Sequence, residues 1–571
     1  MKKHFLLIGC LAFPVIAIIA FFIGLNQPVK DMRYTKSIKD KTWLQLNPSG
    51  VIADYNEVDM GLGFMSSPSS VQDICAKIKL AATDKNIMGL VITPSFVQVS
   101  YSGIHEIGEA IKVFKLSKKT VLAHLTMQSQ KDYWLASYAD KVAMEPAASA
   151  GMFFEGVQAN VSFYKNLLDK LGLKVNIIRS GQFKGYGEEY SRTSLSPETY
   201  GNLNQLLTGR YNLLISDLAS QRKLTLEQAK AIFEQRADYL VSADYAKQAG
   251  LVDLCLGKDE FYQQNKIDKK QLTPIADYEP TPDSNKAKDK IAVCYLQGGI
   301  TMGASQYSAD GITAGKVQKL IDQIRKDKKI KAVVFRVNSP GGSALESELI
   351  YRKLELLKKD LPIVISMSGV AASGGYYISA ASDYIVADPY TVTGSIGVIQ
   401  LLPDASGLGK KIGVSNQSIN FGKYAGAMNL MNTPSEELLA SLQRNSENVY
   451  SEFKHRVVQY RKIDYDSLEN LAGGRVWSAQ DALSNHLIDQ IGTLEDAITK
   501  ASKLAKITTW QTVVLPEKKP YFELLMEQLD KGRLALNTEL GLDTISAIIS
   551  KQLQNIFKPY TVLCVMPFDF E

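Results

Sequence analysis

Along this chain, short apolar runs alternate with longer stretches whose apolar positions recur at helical spacing. Gly89-Leu90-Val91-Ile92, residues 291–295, residues 331–337 and Ile363-Val364-Ile365 have the length and β-branched content of buried strands. Residues 199–219 read as a long helix, entered through the start signal Ser196-Pro197-Glu198. This alternation predicts an α/β fold. One stretch departs from it. Residues 5–25 carry no charge over 21 positions, and a helix of that length spans about 31 Å, enough to cross a hydrocarbon core. Two lysines precede it and no small-residue cleavage site follows, so the expectation is an uncleaved transmembrane anchor. Lys2 and Lys3 face Lys30, Arg33 and Lys36 across it, so charge alone leaves its orientation open.

The pattern also repeats. At an offset of 243 (373 − 130), Asp84-Lys85 falls on Asp327-Lys328, Val91 on Val334, Val121 on Val364, Tyr133 on Tyr376, Pro146 on Pro389 and Gly151 on Gly394. A later block, Ser242, Ala246, Leu251 and Asp253, falls on Ser478, Ala482, Leu487 and Asp489 at an offset of 236 (478 − 242). Two copies of one domain are the simplest account. The expected organisation is an anchor at 5–25, a first copy at 40–270, a linker at 271–290, a second copy at 291–505 and an extension at 506–571. Residues 544–549 of that extension read as an apolar helix, and an apolar run follows at 562–566.

Composition removes several function classes. With 45% hydrophobic residues the chain is that of a folded protein, and a net charge of +6 over 571 residues, without a basic run, argues against nucleic acid as a partner. Five scattered cysteines form neither a disulfide framework nor a metal spacing, and no metal or cofactor is expected.

Candidate chemistry concentrates where strand 363–365 gives way to Ala372-Ser373-Gly374-Gly375 and then to a helix. A serine at such a junction is approachable, and the helix start offers N–H donors to an oxyanion. Small residues there also suit close helix–strand packing. A second loop, Ser339-Pro340-Gly341-Gly342-Ser343, could supply a further N–H, pairing Gly341 or Gly342 with Gly374. Five histidines are present, none in a position that suggests a triad. A lysine can serve as base if burial keeps its amine neutral. The repeat selects one. Gln130 stands over Ser373 and Gln98-Val99 over Gly341-Gly342, so copy one lacks nucleophile and oxyanion loop. Between them the loss reverses: Gly181-Gln182-Phe183-Lys184-Gly185 lies over Gly422-Lys423-Tyr424-Ala425-Gly426, and Lys184 faces Ala425.

Together SGVAASGGYYIS, RVNSPGGS, TVTGSIGV and SGQFKGYGEE resemble the long, duplicated type of the signal peptide peptidase A (protease IV) family. The resemblance covers nearly all of residues 40–510. It implies two tandem Clp protease/crotonase-like domains. By position it makes Ser373 the nucleophile, Lys184 the general base and Ser395 the serine that holds the lysine amine. It further implies peptide substrates, namely cleaved signal peptides, and a homo-oligomer, a tetramer by resemblance. The implied setting is the bacterial cytoplasmic membrane, in contact with its lipid, with the catalytic part on the periplasmic side. Short members keep the lysine about fifty residues after the serine, a slot that Ala425 fills in this chain. Gly185-Tyr186-Gly187 departs from the small residues and Glu-Pro expected after the lysine. The competing expectations are a crotonase-like acyl-CoA thioester enzyme and a non-catalytic membrane scaffold. Only the peptidase needs the serine–lysine pair. The overlay adds one corollary: a lysine at 425 would restore a measurable fraction of activity to a chain lacking Lys184, provided loop 422–426 still reaches the serine.

Overall fold

The computed structural model describes residues 41–59, 69–279, 287–303, 311–520 and 563–565. The expected anchor at 5–25 and the helix-like stretch at 544–549 lie outside these residues. Among the described residues no helix is long and apolar enough to cross a membrane.

The protein is mixed α/β, with one parallel sheet per copy. In copy one the strand order is Leu254–Cys255, Lys141–Met144, Thr120–Leu125, Ile87–Ile92, Thr42–Leu46 and Leu272–Pro274, every neighbour parallel. Copy two repeats this strand for strand: Gln490–Ile491, Tyr384–Ala387, Ile363–Ala372, Ile330–Ser339, Lys290–Gln297 and Gln511–Leu515. The outermost strands lie in segments expected as linker and extension. Leu272–Pro274 pairs with Trp43, Leu44 and Gln45, and Gln511–Leu515 with residues 290–294. Both are short or lightly apolar and gain strand character from the neighbour they join, which local pattern does not register.

Helices cover the sheets, so the strands are apolar on both faces, as parallel strands must be. Fully burying one Val, Leu or Ile side chain contributes about 1.5–3 kcal/mol. Equivalent polar details recur inside the two cores. Tyr133 Oη donates to Leu251 O at 2.7 Å, and Tyr376 Oη to Leu487 O at 2.8 Å. The Val142 N–H donates to Asp253 Oδ2 at 2.7 Å, and the Ile385 N–H to Asp489 Oδ2 at 2.8 Å.

Beyond their sheets the copies differ. In copy two the strand Ile363–Ala372 runs on past its neighbour Tyr384–Ala387 and pairs with Val392–Gly394, which in turn pairs with Val476–Ser478. In copy one the corresponding strand stops at Leu125, and Met127–Gln128, Gly151–Phe153 and Leu240–Val241 form a separate small sheet. Copy two's extension carries the candidate serine.

Copy one reaches across to copy two in two ways. Strand Lys174–Ser180 pairs antiparallel with Val398–Asp404 over seven residues. A buried charge cluster joins them as well: Arg336 lies 3.0 Å from Glu106 and 3.7 Å from Asp54, and His105 Nδ1 lies 2.7 Å from Asp388 Oδ2.

Candidate active site

Ser373 closes the strand Ile363–Ala372 and stands as N-cap to the helix Gly374–Ser379, with φ 55° and ψ −115°. Left-handed φ at a residue with a Cβ costs on the order of 1–3 kcal/mol and persists only where the surroundings enforce it. Two backbone bonds do so: the Ser373 N–H donates to Gly394 O of the neighbouring strand at 2.8 Å, and its carbonyl accepts from Tyr377 N of the helix at 2.8 Å. In this conformation the hydroxyl makes no cap bond. It instead accepts from Lys184 Nζ at 2.7 Å.

Lys184 is fully buried. It comes from copy one, on the loop that follows strand Lys174–Ser180, so the antiparallel pairing across the copies carries it to the serine. Its amine also donates to Ser395 O at 2.9 Å and Ser395 Oγ at 3.0 Å. Ser395 too has left-handed backbone, φ 53°, and its N–H donates to Arg475 O at 2.6 Å. The structure therefore brings Ser373, Lys184 and Ser395 into one buried cluster.

Gly374, Gly341 and Gly342 meet beside it. A Cβ on Gly374 would lie 3.2 Å from Gly341 Cα and from Gly342 N, and 2.7 Å from Ser347 Oγ, so the approach of the two loops depends on its absence. The Gly341 N–H donates to Ser339 Oγ at 3.2 Å. On the outer side, Gly341–Ser343 pairs antiparallel with Leu563–Val565 of the C-terminal extension. That same strand meets Ile399 of Val398–Asp404. The extension thus lies between the glycine loop and the strand that pairs with copy one.

Sequence reasoning missed the loop that holds the lysine in place. Gly473 O accepts from Phe183 N at 2.7 Å, and Gly474 N donates to Ile396 O at 2.8 Å. A Cβ on Gly474, where φ is 87°, would lie 2.5 Å from Lys184 N and 2.7 Å from its Cα and Cβ. The Arg475 guanidinium stacks over the Phe183 ring at 3.5 Å. The repeat offered a signal, because at offset 236 (478 − 242) Ala237-Asp238-Tyr239 stands where copy two has Gly473-Gly474-Arg475. Copy one adds Asn202, whose amide bonds both the Val476 O and the Val476 N–H at 2.9 and 2.8 Å, next to Arg475.

The described histidines lie elsewhere. His105 pairs with Asp388, and His124 Nε2 lies 3.0 Å from Leu256 O. Loop 422–426 is exposed throughout, and Lys423 Nζ lies 3.6 Å from Glu437, whereas Ser373 is fully buried. Copy two's own loop lies at the surface and the serine in the interior, so the condition attached to rescue by a lysine at 425, that loop 422–426 reaches the serine, is not met in this structure.

Comparison with known proteins makes this a serine peptidase. The chain belongs to peptidase family S49, whose sequence model matches residues 113–272 and 355–508. It is 31% identical to "Serine protease SPPA, chloroplastic" of Arabidopsis thaliana, over 79% of this chain and 68% of the relative. It is 32% identical to "Protease 4" of Haemophilus influenzae, over 76% of this chain and 73% of that one. A "Protease 4" of Salmonella typhi is 29% identical, over 85% and 82% respectively.

Proposed function

We propose that the chain is a membrane-anchored serine endopeptidase that degrades remnant signal peptides through a Ser373–Lys184 dyad divided between the repeats. The observation that carries the proposal is the 2.7 Å contact between Lys184 Nζ and Ser373 Oγ, with both side chains buried. Burial disfavours the charged form of an amine, and only the neutral form can take a proton. In the first step Lys184 accepts the Ser373 hydroxyl proton while Oγ attacks the peptide carbonyl carbon. The carbonyl oxygen gains the negative charge, next to the Gly374 N–H and the Gly341-Gly342 loop. Collapse of the tetrahedral species breaks the C–N bond, and the protonated Lys184 gives its proton to the departing amine. Water then attacks the acyl-Ser373 ester with Lys184 again as base, releasing the acid and restoring the hydroxyl. Ser395, through its hydroxyl and carbonyl, holds the amine in line between these transfers.

An extended substrate would lie where Leu563–Val565 lies, adding a strand to Gly341–Ser343. The fold reading is two Clp protease/crotonase-like units. The uncharged stretch 5–25 supports a single-pass anchor in the bacterial cytoplasmic membrane, with the catalytic part periplasmic, lipid as neighbour and a homo-oligomeric assembly. A serine-directed fluorophosphonate tests the chemistry. It should label Ser373 in the full chain, with labelling lost in Ser373→Ala and strongly slowed in Lys184→Ala. Labelling at Ser366 or Ser379 instead, or unchanged labelling without Lys184, overturns the reading.

A further inference from the structure

Three arginines drawn into the interior of copy two each meet a carboxylate. Arg336 lies 3.0 Å from Glu106, Arg456 2.6 Å from Glu348 and Arg461 2.8 Å from Asp489. Arg475 meets none among the described residues. Its half-buried guanidinium stacks at 3.5 Å on the Phe183 ring and lies 6.0 Å from the ring of Trp477. Burial pulls it below the usual arginine value, and no carboxylate acts against that.

This charge without a counter-ion sits on the segment that holds the dyad. Arg475 O accepts from the Ser395 N–H at 2.6 Å, and Ser395 in turn takes the Lys184 amine on its carbonyl and hydroxyl oxygens. The ring beneath the guanidinium belongs to Phe183, the residue before Lys184, whose own N–H donates to Gly473 O at 2.7 Å. Arg475 is thus tied to Ser395 by its backbone and to the lysine loop by its side chain. Copy one has Tyr239 at the aligned position, offset 236 (475 − 239), and there the side chain is exposed, with its hydroxyl on Glu155. The cation is present only where the chemistry is.

The other titratable groups packed around the lysine loop have partners of their own or lose their charge. Glu188 accepts from the Ser196 N–H and Oγ at 2.8 and 2.6 Å and from Thr199 Oγ1 at 3.1 Å, and Arg179 lies 3.4 Å away. Burial pushes the Glu189 carboxyl up to about 7, where it accepts from the Gly187 N–H at 2.8 Å. Tyr186 is the loop's own phenol. From the helix Glu436–Tyr460, Tyr450 Oη accepts from the Gly473 N–H and donates to Glu469, both at 2.9 Å. The helix Gly374–Ser379 and the strand Val392–Gly394 carry no charged side chain, and Tyr377 of that helix donates to Glu348 at 2.8 Å.

We propose that Arg475 is a positioning residue for the base: it clamps the lysine loop against Ser395 and, as a cation without a counter-ion, disfavours a second positive charge on the Lys184 amine. A like charge favours the neutral form of an amine, the form that accepts the Ser373 proton. For two cations on the order of 10 Å apart at an effective dielectric of about 20, the effect is about one pH unit. The inference rests on the serine–lysine reading and gives the neutral base a second cause beside burial.

The test follows the rate at which a fluorophosphonate labels Ser373 in the full chain as pH is raised through the neutral and alkaline range. In the unsubstituted chain the rate should climb through one ionisation, and that limb should vanish in Lys184→Ala. In Arg475→Gln the limb should move up by about one pH unit, because loss of the neighbouring cation favours the charged amine. Arg475→Tyr, the residue copy one has at this position, should move it equally, and supplies the reading where circular dichroism shows Arg475→Gln unfolded. Arg475→Lys keeps the charge and should leave the limb in place. A rate lowered at every pH with the limb unmoved in the neutral variants means a structural role only and overturns the proposal. So would a limb displaced as far by Arg475→Lys as by Arg475→Gln. Unchanged labelling in Lys184→Ala removes the dyad and this inference with it, whereas a limb that ignores Arg475 removes the inference alone.

Discussion

Two serines mark the same junction in the two copies, and their difference shows how one fold separates structure from chemistry. In copy one, Ser129 caps the helix Gln130–Ala136 in extended backbone, φ −74°, and its hydroxyl accepts from Asp132 N. Asp132 closes the capping box and also takes the N–H groups of Phe96 and Val97. In copy two the helix begins one residue later in the aligned frame, at Gly374 with Ser373 as its N-cap, and Gly375 stands in place of Asp132. With no carboxylate to close a box and with its φ turned positive, Ser373 leaves its hydroxyl to Lys184. Copy one has a satisfied helix start, a cap of a kind worth about 1 kcal/mol. Copy two has a strained start and an available oxygen. Stability and reactivity are alternative uses of one strand–helix junction.

The largest test of that contrast removes the chemistry from each side. Ser373→Ala should abolish peptide hydrolysis, and Lys184→Ala or Lys184→Arg should lower kcat by about 10²–10⁴-fold, because Arg stays protonated. Lys423→Ala, at the exposed counterpart loop, should change kcat less than about two-fold by the criterion of surface substitutions. Equal losses at Lys184 and Lys423 would erase the distinction between the copies.

Next comes the loop that copy one lacks. Gly474→Ala pushes on the Lys184 backbone, and a displacement near 1 Å costs about 10²-fold in kcat with KM little changed. Circular dichroism should remain that of the folded chain; a kcat equal to that of the unsubstituted chain would remove Gly474 from the positioning of Lys184. Ala425→Lys in a Lys184→Ala chain should give no measurable recovery, since residue 425 is exposed and the serine buried. Recovery above a few per cent would show that loop 422–426 visits the site.

The smallest effect concerns the seam. Burial disfavours protonation of His105, but its hydrogen bond to Asp388 outweighs this and raises its pKa to about 9. The group is raised above its unfolded value of about 6.5, so its contribution is full below that pH. It fades as pH rises and is gone above about 9. A thermal melt series from pH 6 to 10 should therefore fall more steeply for the unsubstituted chain than for His105→Gln, by on the order of 1 kcal/mol or more. Parallel curves would mean that the pair does not couple folding to pH.

The sheets were legible in the sequence because their strands are short β-branched runs repeated at one offset. Lys184 was legible only by subtraction, as the residue one copy had and the other lacked. The seam was not. Arg336 sits in an apolar strand, and its partners Asp54 and Glu106 lie more than two hundred positions away, with no local pattern to connect them. Gly473 and Gly474 read as turn residues, and only the fold places them against the lysine. The apolar run at 562–566 gave no sign that Leu563–Val565 would pair with the glycine loop, since strand pairing is decided by the partner.

On the proposed function, in which a substrate adds a strand to Gly341–Ser343, that last pairing is a reference against which each substrate competes. Leu563–Val565 occupies the edge of Gly341–Ser343 that an incoming peptide would use. Because it is covalently attached, its effective concentration at the groove is set by the chain and not by dilution, and for tethered segments this is on the order of millimolar. A peptide present at micromolar levels must bind that edge about a thousandfold more tightly than the extension does to take its place in half the molecules. Occupancy of the groove is then a threshold on substrate quality and local abundance, written into the same polypeptide that performs the reaction.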